Sequence, residues 1–354
     1  MCKILIACMI SALLAAGAAE SDTFFRTYDF GNGEGWFYGA LELPGGNIAL
    51  LRGWSQEEPP MIEGNLLVDA QGDSIHFYQG YTQASYCIDA DSSIVRAWEY
   101  GYPAEEWKLY WENIYCDSLH SADLAPPAGE SEFSDICNAE DGGYLLCGGS
   151  PYGCGGAVRI DSLGAPVWTR VDSTVGYKCA AWDGSGSYLL GGNHTGSSSL
   201  SYQKVSDDGD LLWEWTSSGQ WVHPTQTAVS TPDGGFAAGV FSDSYADNAI
   251  LRLSAGGDSM WVYDSAIEDI IWSEIIVCGS DLLAVGFQGS DQGSLSVLAR
   301  LGSDGTLIWE REYPDCALYC VNAAIEGGFI LTGAYPHPFE YDNQSLVIKT
   351  DSEG

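Results

Sequence analysis

The chain has 354 residues, with 49 Asp and Glu against 13 Lys and Arg and a formal net charge of −36. A charge of that size and sign repels phosphate backbones and anionic lipid surfaces, which excludes nucleic acid and membrane surfaces as partners. Glycine is abundant, aromatics make up 12% of the chain, and no stretch sustains apolar residues at helical spacing, which excludes a helical bundle.

The first predicted element is a leader. "MCKILIACMISALLAAGAAES" places Lys3 before an apolar run and a small-residue end, and Ala16-Gly17-Ala18 fits an A-x-A cleavage site. Residues 1–18 therefore read as a secretory signal peptide. "LIAC" at Cys8 loosely imitates a lipoprotein box, but the apolar run before it is too short. No later segment has the roughly 18 apolar residues needed to span a bilayer. The expectation is a secreted or periplasmic protein with no membrane insertion.

From residue 34 onward one unit recurs. A glycine-rich turn followed by a short apolar strand is clearest in "DGGYLLCGG" (Tyr144), "GSGSYLLGG" (Tyr188), "PDGGFAAGV" (Phe236), "GSDLLAVGF" (Leu282) and "EGGFILTGA" (Phe329). Fainter copies stand at Asn47 and Ile94, so seven anchors follow one another at steps of about 47 residues. Each anchor is followed by a variable segment, an apolar strand, a D/S-x-x-G turn and a strand opening on an aromatic. "RIDSLGAPVW", "KVSDDGDLLW", "RLSAGGDSMW" and "RLGSDGTLIW" end at Trp168, Trp213, Trp261 and Trp309. The first copy has His76 and Phe77 at that place; the second, "EWKLYWENIY", keeps Trp111 and loses the Asp-Gly turn. Gly and Asp supply the positive φ angles that tight hairpins need.

Four short antiparallel strands per unit, at this period, describe the blades of an all-β, seven-bladed β-propeller. The expected blades are 34–80, 81–116, 134–173, 176–218, 225–266, 272–315 and 317–354 completed by 22–30, within one domain at 19–354. The last unit lacks its aromatic fourth strand. "FFRTY" from Phe24 matches "WEREY" from Trp309 in register, so the N-terminal strand is expected to complete the last blade and hide its edge.

The units resemble bacterial secreted proteins carrying "DGGY … K-x-D-x-x-G-x-x-x-W" repeats, and are distantly similar to the tryptophan-docking repeats of quinoprotein-type propellers. The resemblance covers nearly the whole chain after the leader. It implies the fold and is almost silent on activity, because its motif residues build hairpins and blade contacts.

In such a ring the short, stereotyped turns fall on one face and the variable segments on the other rim, where binding function usually sits. That rim is expected to carry Trp54, Tyr100, Tyr102, Glu105, Glu106, Trp221, His223, Tyr335 and Tyr341. Flat rings beside carboxylates suit sugars, and they suit cationic peptides equally well; the same rings also serve to pack loops together. The leading expectation is a monomeric binding or interaction scaffold for an extracellular glycan, peptide or protein. The alternative is a glycan-active hydrolase or lyase using rim carboxylates, and the balance leans away from catalysis. A quinoprotein-like oxidoreductase ranks last, since vicinal cysteines are absent. The D/S-x-x-G-x-x-x-W turn differs in spacing from the Asp-box of sialidases, and the histidines show no HxH or HExxH pattern. No cofactor is predicted, although the acidity admits bound Ca2+; its plainest reading is a solvated coat.

Cys87, Cys137 and Cys179 each precede a turn aspartate by four residues and so read as equivalent inner-strand positions, where a buried thiol is an ordinary small hydrophobe. Cys116 with Cys154, and Cys316 with Cys320, are the candidate disulfides.

Overall fold

The computed structural model describes residues 23–354 except 29–34, 44–45, 55–63, 80–84, 89–93, 101–105, 114–117, 128–131, 150–153, 196–198, 218–222, 243–247, 291–292, 326 and 336–343. The first strand is β1 (Phe24–Tyr28). The first blade follows with β2 (Gly35–Glu42), β3 (Ile48–Trp54), β4 (Gly64–Val68) and β5 (Ser74–Gln79). The second holds β6 (Ser85–Ile88), β7 (Ile94–Tyr100), β8 (Glu106–Glu112) and β9 (Ser118–Leu124). The third holds β10 (Glu132–Asn138), β11 (Tyr144–Gly149), β12 (Gly155–Ile160) and β13 (Pro166–Asp172). The fourth is β14 (Val175–Trp182), β15 (Ser187–His194), β16 (Leu200–Ser206) and β17 (Leu211–Thr216). Then come β18 (His223–Ser230), β19 (Phe236–Phe241), β20 (Asn248–Leu253) and β21 (Ser259–Asp264). The sixth blade is β22 (Ile271–Cys278), β23 (Asp281–Ser290), β24 (Gly293–Leu301) and β25 (Leu307–Pro314). Only β26 (Ala317–Ala323), β27 (Phe329–Tyr335) and β28 (Gln344–Thr350) remain for the seventh.

Six sheets pair in chain order, and the seventh runs β26-β27-β28-β1. This is a seven-bladed β-propeller. Phe24 pairs with Lys349 as Trp309 pairs with Arg300, so the N-terminal strand takes the place of an outer strand in the expected register. The closing contact is built like a core. Phe37, Ile48, Leu50 and Val68 of the first blade pack with Ile330 and Val347 of the seventh, and Phe24 and Tyr28 lie against them. Lys349 Nζ meets Glu42 Oε1 at 2.8 Å across the same seam, with both side chains almost wholly buried.

Middle strands face a neighbour on both sides and are buried along their whole length, as in "YLLCGG", "GGAVRI" and "NAILRL". Outer strands alternate, as in "LLWEWT". Their tryptophans reach the next blade: the indole N–H groups of Trp168, Trp213 and Trp261 donate to the carbonyls of Asp207, Ala255 and Ser303 at 2.6, 2.9 and 3.1 Å. Each ring lies on the glycine of that D/S-x-x-G turn. At Gly257, whose φ is +90°, an added Cβ would stand 2.8 Å from the Trp213 ring. Gly257→Ala is therefore expected to lower stability by about 1–3 kcal/mol from strain and overlap together, read by urea unfolding; a loss below about 0.5 kcal/mol would contradict this docking.

The repeat's charged residues are structural. The Oδ1 of Asp161 accepts from the amides of Leu163 and Ala165, closing its turn. The first turn's aspartate pairs with the basic residue of the third strand in four consecutive blades: Asp141 with Arg159, Asp183 with Lys204, Asp233 with Arg252 and Asp281 with Arg300.

The second blade departs from expectation. Its outer strand is Ser118–Leu124, beyond the expected limit at 116, and Trp111 lies on the third strand opposite His120. His120 occupies the docking position, its Nε2 lying 2.8 Å from the Leu163 carbonyl of the third blade.

Candidate functional site

Strand direction fixes two rims. The first-to-second and third-to-fourth strand turns fall at one end of every blade, and the second-to-third segments and blade-to-blade connections at the other. Trp54, Tyr100 and Tyr335 end the second strands of their blades, Glu106 begins a third strand and His223 a first strand, so all five belong to the loop-rich rim. Tyr102, Glu105, Trp221 and Tyr341 lie outside the described residues. Tyr335 stands edge-on to Phe25 at 5.8 Å, which gives that ring a packing role on the closing strand. Glu106 pairs with Lys108 at 3.0 Å.

A polar cluster that no repeat motif singles out converges at this rim between the third and fourth blades. The buried Gln203 amide holds it together. Its Nε2 donates to Asp172 Oδ2 at 2.9 Å and to Glu214 Oε1 at 3.2 Å, while its Oε1 accepts from Tyr177 at 2.9 Å and from Arg170 at 3.3 Å. Ser201 donates to Glu214 Oε1 at 2.7 Å, and His194 Nε2 stands 3.6 Å from the same oxygen. Thr174 Oγ1 donates to Asp172 Oδ1 at 2.7 Å. Burial pushes Asp172 up, but the hydrogen bonds from Gln203 and Thr174 prevail and hold its carboxyl below the usual range. Two carboxylates thus face one amide nitrogen. Asp172 is an acceptor here and not a proton donor. Sequence inspection misses the group because Asp172, Gln203 and Glu214 come from three strands of two blades.

A second set of acids lies on the inner strands. β2, β10, β14, β22 and β26 each break register once, and the residues just after the break are Gly39, Asp135, Cys179, Glu274 and Cys320. Asp135 Oδ2 accepts from the Ala180 amide of the next blade at 2.8 Å, and Glu274 Oε2 from the Val321 amide at 2.6 Å. Thr227 Oγ1 accepts from the Ile275 amide in the same manner at 3.0 Å. Burial raises Asp135 and Glu274 to about 7 each, against the pull of these amides and, at Glu274, of a hydrogen bond with the Cys320 thiol. Glu274, three blades away, adds slightly to the rise at Asp135. Both keep partial exposure although protein surrounds them, which fits side chains bordering an axial channel.

The bulges also correct the cysteine alignment. The first turn closes at Ala139 in the third blade and at Asp183 in the fourth, so Cys179 matches Asp135 and not Cys137. Cys137 and Cys147 are free thiols pushed well up by burial. Cys316 and Cys320 are separate buried thiols and form no disulfide. Four residues of extended chain span about 13 Å, which is too far for a disulfide. Cys154 is a free thiol, and Cys116 lies outside the described residues. Among the described residues no group of three or more His, Cys, Asp or Glu is placed to hold a metal ion.

No family model matches the chain, and no curated protein matches it. Solved structures do. The Dos1 propeller aligns over 90% of this chain and 93% of its own at 8% identity and a TM-score of 0.53. BBS1N, solved in complex with ARL6DN, aligns over 95% and 94% at 11% identity and a TM-score of 0.51. Hydrazine synthase of Kuenenia stuttgartiensis aligns over 78% and 80% at 12% identity and a TM-score of 0.51. The likeness is one of fold.

Proposed function

We propose that the protein is an exported, monomeric scaffold whose loop-rich rim binds an extracellular glycan, peptide or protein, with no nucleic-acid or membrane partner. The observation that carries this reading is the gathering of Trp54, Tyr100, Glu106, His223 and Tyr335 on the same rim as the Asp172–Glu214 pair. Charge narrows the partner. Several lysines and arginines are spent inside the ring, as at Arg96–Glu112, Lys204–Asp183 and Lys349–Glu42, while acids outnumber bases 49 to 13 in the chain, so the surface as a whole is strongly acidic. A hydroxyl-rich or cationic ligand suits such a surface, and an anionic one does not. One propeller of similar fold was solved bound to a protein partner, which agrees with a scaffold role.

A hydrolase or lyase using rim carboxylates is the alternative; the carboxyls raised to about 7, where a general acid or base works, are Asp135 and Glu274 of the inner strands and not those of the rim. A glycan and basic-peptide array paired with a reducing-sugar assay separates the two readings. Retention without sugar release is expected; turnover that Glu274→Gln abolishes would replace the scaffold by a hydrolase. Export predicts a mature N-terminus at Ala19, read by N-terminal sequencing. A melting temperature raised by millimolar Ca2+ beyond an equal ionic strength of NaCl would assign a cation site to the rim segments.

A further inference from the structure

Six blades repeat a surface feature that neither the rim nor the channel uses. The residue before each docking position is large and apolar: Ile75, Leu119, Val167, Leu212, Met260 and Ile308, each between 51% and 61% exposed. Side chains alternate along a strand, so a tryptophan turned onto the next blade leaves its predecessor pointing the other way, into the gap that widens outward between blades. These strands are also the last of their sheets, with one backbone edge unpaired. Natural edge strands are usually blunted by charge or proline, yet β21 reads "SMWVYD" and carries no charge before Asp264.

The surroundings of this belt are acidic. The turns leading into β17, β21 and β25 expose Asp208, Asp210, Asp258 and Asp304. Of the basic residues of the same blades, Lys204, Arg252 and Arg300 are committed to Asp183, Asp233 and Asp281, Lys178 stands on the inner strand β14, and Arg311 of β25 lies over the Trp309 ring. An apolar strip bordered by uncompensated carboxylates is complementary to one kind of partner. We propose that the outer belt over the fourth to sixth blades docks a basic amphipathic segment of a partner protein, its apolar side chains on Leu212, Met260 and Ile308 and its Lys or Arg on the turn aspartates. Each of these outer strands exposes two apolar side chains, Leu211 with Leu212, Met260 with Val262 and Leu307 with Ile308, and apolar surface rimmed by polar residues marks an interaction site. A second copy brings the same acids and a formal charge of −36, and is repelled. An anionic membrane is repelled likewise. The belt borders the short turns and the rim lies at the opposite end of the blades, so failure of one reading leaves the other standing.

The test is fluorescence anisotropy of a labelled 15-residue peptide alternating Leu and Lys, against a Ser–Lys peptide of equal charge, in 150 mM NaCl. The Leu–Lys peptide is expected to bind at least tenfold more tightly. The triple variant Leu212→Ser, Met260→Ser, Ile308→Ser is expected to erase that advantage while circular dichroism and the melting temperature report an intact ring. Equal binding of the two peptides, or undiminished binding by the folded variant, overturns the proposal. Sedimentation in 1 M NaCl adds a second arm. Self-association that the triple variant abolishes would assign the belt to a second copy, and belt-dependent binding to phosphatidylcholine vesicles would assign it to a lipid surface; either result overturns the proposed occupant.

Discussion

A chain lacking residues 22–30 is expected to melt roughly 5–10 °C below the intact protein and to aggregate on heating. The strand lost is short, but its contacts are spread over the closing seam. Phe24 covers Gly72, where an added Cβ would stand 2.6 Å from its ring. Phe25 lies against Tyr335, and Tyr28 stands edge-on to Phe37 at 5.7 Å while its hydroxyl donates to the Gly72 carbonyl at 2.6 Å. Three half-buried aromatics and one ladder of backbone pairing amount to about 3–5 kcal/mol. Deletion also leaves β28 as an open edge with apolar residues on it. Scanning calorimetry of the two chains decides the matter; equal melting temperatures would mean that β1 does not hold the ring shut.

The second large effect is on pH dependence. Glu274 rises from 4.5 to about 7 on folding, chiefly through burial, so between those values the folded chain holds a proton that the unfolded chain has lost. Stability contributed by this group is then fully present at low pH, falls as pH rises through the window from about 4.5 to 7, and is flat above it. Each tenfold change in proton affinity between the two states corresponds to about 1.4 kcal/mol, and solvent reaching the carboxyl reduces the sum to roughly 2 kcal/mol. Glu274→Gln keeps an oxygen for the Val321 amide and removes the charge. The variant is expected to match the intact protein near pH 5 and to exceed it by roughly 2 kcal/mol at pH 8, with urea unfolding as the measurement. Parallel stability curves for the two proteins would contradict the assignment. Asp135→Asn is a poorer probe, because its two oxygens accept from two backbone amides, Ala180 and Ile136, and an amide side chain satisfies only one, whereas Glu274 accepts from one backbone amide and the weaker Cys320 thiol.

The ring was legible in the sequence because its positional demands are strict. In six blades an aromatic ring of the neighbouring blade covers the glycine of the third-to-fourth turn, and in four consecutive blades an acid of the first turn pairs with a base of the third strand, as in Asp233 and Arg252. Those demands produce a period, and the period counts the blades. The second blade escaped the pattern where chemistry was substituted: His120 makes the interblade contact of a tryptophan, while Trp111 stands where other blades carry a basic residue. An aromatic anchor therefore pointed to the wrong strand. The inner strands misled for a different reason. The turn aspartate stands two residues past the closing Ala139 in the third blade, as Asp141, but is itself the closing residue, Asp183, in the fourth, so counting back from it paired Cys137 with Cys179 when Asp135 is the true counterpart. The Asp172–Gln203–Glu214 group was hidden more deeply, since it exists only once two blades are side by side.

The most direct test of the closed ring is amide hydrogen exchange on the intact protein. The ring requires the amides of β1 that pair with β28, from Phe24 to Tyr28, to be protected to the same degree as their partners from Ser345 to Lys349 and to open together with them. Exchange of the Phe24–Tyr28 segment at the rate of unstructured peptide, with β28 still protected, would mean that the seventh blade has three strands and that the two ends of the chain do not meet.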